Sequence, residues 1–182
     1  MTLLVGVATR KGVWIGADSG SVADSYAVSV PEPKVWNTGK GWIAAVAGDW
    51  RALELVKHTV DWPAPPRSVH EAHRVVAIDV LDEIGKAFAA RGFDGGESDE
   101  DGAKWWLLLG TRTASRAPVM FYVEANHPEQ HRQIAVGMGE QFAMGVLAAN
   151  TERAPEARVR HALTATREHY GCLLPPFRVE SL

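Results

Sequence analysis

The chain has 182 residues, of which 46% are hydrophobic and 23% charged, and its formal charge is −3. That length suits one domain over residues 1–182, and 19 basic against 22 acidic residues leave no broad positive field for nucleic acid or anionic lipid. No stretch matches a bilayer-spanning helix, Met1-Thr2-Leu3-Leu4 lacks the basic start of a signal peptide, and Cys172, the single cysteine, closes neither an intramolecular disulfide nor a cysteine-based zinc site, so the expectation is a cytoplasmic protein held by packing.

Residues 2–9 (TLLVGVAT) and 13–19 (VWIGADS) are β-prone runs around an Arg10-Lys11-Gly12 turn, which predicts a hairpin. A stretch rich in Ser, Ala and Pro at 20–33 reads as loop. KVWNT (34–38), a Gly39-Lys40-Gly41 turn and WIAAVAG (42–48) predict a second hairpin. These runs are almost continuously apolar, so both faces of the strands should be covered. From Asp49 the pattern changes: Trp50, Leu53, Val56 and Lys57 fit a short helix that ends before Trp62-Pro63. Ser68 and Glu71 form a capping box, and Ala72, Val76, Val80, Ile84 and Phe88 follow at fourfold spacing, predicting one long helix over 68–91 that Gly92 stops. The acid-rich stretch between Phe93 and Ala103 lacks the spacing of a calcium loop and reads as a solvated loop. Strands return at 104–113 and 119–125, and QIAVG ends a third at Gly137. Helices follow at about 140–149 and 155–170, and FRVES (177–181) closes the chain as a strand. Blocks of strands between pairs of helices are not the regular alternation of a doubly wound parallel fold.

Common catalytic patterns are absent: there is no P-loop lysine motif, no GxSxG elbow and no HExxH. His70 and His73 stand three apart without further ligands and read as surface residues. Gly137-Met138-Gly139 lacks the βαβ context of a dinucleotide fingerprint. No metal and no cofactor are expected.

What remains is the first quarter of the chain. Thr2 follows Met1, Asp18 ends the second strand in GADS, Lys34 opens the third in PKVW, and Gly48 ends the fourth in AVAGD. A Thr hydroxyl is a poor nucleophile at neutral pH, but an N-terminal Thr carries its own base, an α-amine with a pKa of about 7.7 to 8.0. An ammonium nearby favours the neutral amine and stabilises developing alkoxide, a carboxylate holds that ammonium in place, and a glycine lets a substrate carbonyl approach a backbone N–H. Each residue alone also has an ordinary structural reading, as a turn cap, a solvated strand residue or a strand-to-helix connection.

Taken together, the set resembles the proteasome β-subunit and HslV-type family of N-terminal nucleophile hydrolases, in which Asp, Lys and Gly stand sixteen, thirty-two and forty-six residues beyond the Thr. Counting from Thr2 gives Asp18, Lys34 and Gly48 without a gap, and the KVW and AGD words are similar to the bacterial proteasome-like branch. The resemblance implies an α+β fold, a four-layer αββα sandwich, whose order of strand and helix blocks this chain shares over nearly its whole length. It implies a threonine-type peptidase with Thr2 as nucleophile and base after removal of Met1, Lys34 and Asp18 as electrostatic support, and Gly48 as oxyanion donor. The pocket for the residue before the cut bond then falls on Ser21, Glu32, Trp36, Val46 and Trp50, a crowded and acidic set that suits small or basic side chains. The family's supporting Ser matches Met138, and its later supporting positions fall around Glu168 or Cys172. The implied partners are a peptide or unfolded protein substrate, further copies in homo-oligomeric stacked rings, and an ATP-dependent unfoldase. Two other readings stay open: an N-terminal nucleophile amidase acting on a small amide, and a non-catalytic scaffold or ring subunit.

Overall fold

A computed structural model describes residues 2–23, 26–94, 105–124 and 127–182. Its strands are β1 (Leu3–Thr9), β2 (Gly12–Ala17), β3 (Gly20–Ala23), β4 (Tyr26–Ser29), β5 (Val35–Asn37), β6 (Trp42–Gly48), β7 (Trp105–Arg112), β8 (Pro118–Glu124), β9 (His127–Gln130), β10 (Gln133–Gly137) and β11 (Arg178–Ser181). The helices are α1 (Trp50–Thr59), α2 (Val69–Arg74) continuing through a π-helical stretch (Val75–Val80) into α3 (Leu81–Ala89), then α4 (Glu140–Ala149) and α5 (Pro155–His169). One sheet runs β10-β1-β2-β11 and the other β5-β6-β7-β8-β9, with every neighbouring pair antiparallel.

The continuous apolar runs are explained by strand alternation between two covered faces. Along β1, Leu3, Val5 and Val7 join Ala143, Leu147, Val159 and Leu163 of α4 and α5, while Leu4 packs between the sheets with Ile15, Ile43, Leu108 and Met120. Along β6, Trp42, Ala44 and Val46 pack under α1 to α3 with Leu53, Val76, Val80 and Phe88, while Ile43, Ala45 and Ala47 face the other sheet. Helices, sheet, sheet, helices: the predicted αββα sandwich is what these three apolar layers build. No helix among the described residues is long and apolar enough to cross a membrane.

The structure departs from the sequence reading in three places. The loop expected at 20–33 contains a small hairpin, β3 with β4, which Ser and Ala side chains signal weakly. β9 is a further strand, polar and at a sheet edge, where one row of backbone groups needs no partner strand. The helix expected over 68–91 starts as foreseen, with the Ser68 hydroxyl accepting from the Glu71 N–H at 3.3 Å, although the Glu71 carboxylate accepts from Arg67 N–H rather than from Ser68. Its middle is π-helical, with the Leu81 N–H reaching back five residues to the Val76 carbonyl. Most of the acid-rich stretch between Phe93 and Ala103 lies outside the described residues.

Candidate active site

Hairpin pairing does most of the assembly. The β1–β2 register sets Leu4 opposite Ala17, which returns the chain to its own start and puts Asp18 beside Leu3. Asp18 is 1% exposed, and its two carboxylate oxygens accept from the backbone N–H groups of Leu3 at 3.0 Å and Gly20 at 2.6 Å. On the other side of Thr2, its carbonyl accepts from the Met138 N–H at 2.9 Å, an extension of the β1–β10 ladder. Gly137 fits here because its φ of 98° is one that side chains resist, and a Cβ would run into the Thr2 carbonyl. Thr2 is thus fixed from both flanking strands.

Lys34 enters from the other sheet. It precedes β5, and its carbonyl accepts from the Val46 N–H at 3.1 Å. Its ammonium donates to Thr2 Oγ1 at 2.9 Å, to Asp18 Oδ1 at 3.2 Å and to the Gly20 carbonyl, while the residue is only 2% exposed. Burial pushes the Lys34 ammonium below its ordinary value of 10.5, and the charge and hydrogen bond of Asp18 pull it back part of the way. Such an arrangement presents positive charge to a hydroxyl oxygen in a place shielded from water, where that charge acts most strongly.

Gly48 ends β6 two residues beyond Val46, so it lies about 7 Å along the strand from the residue that bonds Lys34. Its φ is 95°, which an L side chain would strain, and it is exposed where Val46 and Ala47 are buried. The strand therefore offers bare backbone at its mouth. Asp49 follows and caps α1 by accepting from the Arg51 N–H at 2.7 Å.

Trp36 and Lys34, two apart at β5, share a face, and Trp36 and Val46 both pack in the layer under α1. Trp36 and Val46 are buried, Ser21 and Glu32 are half-buried, and Trp50 stands on the outer side of α1 at 39% exposed. Sequence reasoning missed Lys57 of α1. Its ammonium pairs with the Glu32 carboxylate and lies 5.7 Å from the centre of the Trp36 ring. That hydrogen bond holds the Glu32 carboxyl below its usual value. The Glu32 carboxylate is therefore paired rather than free. The only sequence signal was position: Lys57 follows Trp50 by two helical turns. Glu32, Glu54 and His58 bring one ligand atom each within 4.8 Å of one another, but the Lys57 ammonium already sits on the Glu32 carboxylate.

Of the supporting positions, Met138 lies beside Thr2 through its backbone, Cys172 is within electrostatic reach of Lys34, and Glu168 is an exposed residue of α5. The loop that carries Cys172 is bonded to the segment after Asp18, with the Ser19 N–H donating to the Leu174 carbonyl at 2.8 Å and the Ser19 hydroxyl to the Pro176 carbonyl at 2.6 Å.

No protein-family model matches the chain, and no curated protein matches it. Solved structures do. The chain superposes on Thiobacillus denitrificans BPH in complex with epoxomicin with a TM-score of 0.75 at 18% identity, over 99% of this chain and 97% of that one. A second structure of Thiobacillus denitrificans BPH gives 0.73 at 20% identity, over 100% and 97%. Eukaryotic HslV from Trypanosoma brucei gives 0.67 at 11% identity, over 99% and 98%. The chain has the fold of these proteins from end to end.

Proposed function

We propose that the chain is a threonine-type peptidase of the proteasome and HslV kind, with Thr2 as its N-terminal nucleophile once the residue before it is removed. The observation that carries this reading is the Lys34 ammonium 2.9 Å from Thr2 Oγ1, buried and tied to Asp18. The free α-amine of Thr2 takes the hydroxyl proton as Oγ1 attacks a peptide carbonyl carbon. The C–O bond forms, the carbonyl π-electrons move to oxygen, and the oxyanion meets the Gly48 N–H, a donor worth on the order of 3 kcal/mol in such sites. Collapse breaks the C–N bond, the ammonium returns its proton to the departing amine, and water then hydrolyses the ester on Thr2 by the same route. Lys34 favours the neutral amine by like-charge repulsion and stabilises alkoxide by attraction. Further support comes from the fold shared with a Thiobacillus protein that binds epoxomicin.

Confinement in stacked rings of identical subunits, fed with unfolded chains by an ATP-driven unfoldase, completes the reading. Intact-mass measurement with an epoxyketone probe tests it. The expected result is a chain that begins at Thr2 and gains one probe mass, with no adduct in Thr2→Ala. A chain that keeps Met1 and takes no adduct would overturn the reading and favour a scaffold subunit.

A further inference from the structure

Lys57 already bridges Glu32 and Trp36. On the peptidase reading, the residue before the cut bond places its side chain against Glu32, Trp36 and Val46, positions that the family resemblance gives for it. Trp36 is 8% exposed and Val46 is fully buried, so the floor is closed. Over that floor lies Lys57, whose side chain is itself only 12% exposed. Its ammonium is bonded to Glu32 and stands 5.7 Å from the Trp36 ring, close enough for the ring face to attract it. One carboxylate and one ammonium thus cancel inside the space that would otherwise take a substrate side chain.

Resting on the peptidase reading above, we infer that Lys57 is its specificity-determining residue: tethered to Glu32 across Trp36, it covers that floor and restricts the residue before the cut bond to small, uncharged side chains. A basic substrate side chain meets the Lys57 ammonium, an acidic one meets Glu32, and a large apolar one meets the Lys57 stem. The acidic set legible in the sequence pointed to small or basic side chains, and Lys57 removes the basic half of that preference.

The two partners make opposite predictions when cut singly. Lys57→Ala clears the space over Trp36 and leaves Glu32 without its nearest cation, with only the His58 imidazole 3.9 Å away, so the ratio of kcat/KM for a fluorogenic peptide with Arg before the cut bond to that for its Ala counterpart rises on the order of tenfold. Glu32→Gln leaves the ammonium unpaired, so the ratio for Glu over Ala rises instead. The double variant shows neither gain. Wild type that cleaves after Arg as well as after Ala, or single variants that keep the wild-type ranking, would overturn the inference. Labelling of Thr2 by the epoxyketone probe is followed in the same samples. Adduct with an unchanged ranking sinks the role of Lys57 alone, whereas no adduct and no turnover sinks the peptidase reading with it.

Discussion

At Lys34 burial and pairing pull in opposite directions, and the balance is testable through pH. Taking an ammonium out of water is costly, and the hydrogen bonds to Asp18, Thr2 and Gly20 offset that cost only in part, since its pKa lies below 10.5. Between the lowered folded value and 10.5 the unfolded chain binds more protons at this site than the folded one. Stability from Lys34 therefore rises as pH climbs through that window, and the cost is fully present below it. The difference in denaturant midpoint between wild type and Lys34→Met should move in favour of wild type as pH rises toward 10.5, and a constant difference would contradict the buried-cation account. Asp18→Ala acts differently. It strips the partner from a buried ammonium and leaves the N–H groups of Leu3 and Gly20 unanswered, so a loss of about 3–5 kcal/mol is expected in equilibrium unfolding, with loss of turnover. Asp18 was legible from pairing alone, because a tight hairpin brings residue 18 back to residue 3, whereas Lys34, which enters from the other sheet, was picked out only by the spacing that the set shares with the family it resembles. Lys57 was not, because its meeting with Glu32 depends on how α1 lies over β5, a tertiary fact no local spacing encodes.

The helical run over residues 69–89 shows how an element adjusts to its own sequence. Ala72, Val76, Val80, Ile84 and Phe88 are all buried, yet strict fourfold spacing drifts by about 40° per step on an α-helix and would carry the stripe off the core. The π-helical stretch Val75–Val80 takes one residue more into its turn and brings the stripe back. The spacing was visible in the sequence; the backbone remedy for it was not. Deleting Ile78, exposed at 51% inside that stretch, should let the turn close as an ordinary α-helix with both flanks still facing inward, so thermal unfolding should shift little. Deleting Gly85, in the regular α3 where an added Cβ would meet no neighbouring element within 4 Å, should instead turn Phe88 by about 100° away from Trp105 and Phe93. The loss of a buried Phe at about 3–5 kcal/mol should then appear in the melting curve, and equal damage from the two deletions would refute the compensation. The β3–β4 hairpin and β9 escaped sequence reasoning for a related reason: short strands without branched or aromatic runs form because a neighbour is present to pair with, not because their residues favour extension.

For the molecule as a whole, the question is whether the proposed ring is needed to complete the fold or only to confine the chemistry. Of the seven tryptophans, Trp36, Trp42, Trp62 and Trp105 are buried within this chain, Trp14 and Trp106 are half-buried, and Trp50 is exposed. The accessible surface of 9104 Å² is close to the about 8,600 Å² expected of a compact monomer of 19.8 kDa. Thr2, Asp18, Lys34 and Gly48 also come from one chain, so under the proposed function each subunit supplies its whole candidate site. Association should accordingly be separable from folding. On dilution, or with charge introduced at the exposed Phe142, sedimentation should show subunits that dissociate while far-UV circular dichroism is unchanged and the epoxyketone probe still labels Thr2. Subunits that unfold as they separate, or that lose labelling while remaining folded, would mean that a neighbour supplies part of the site.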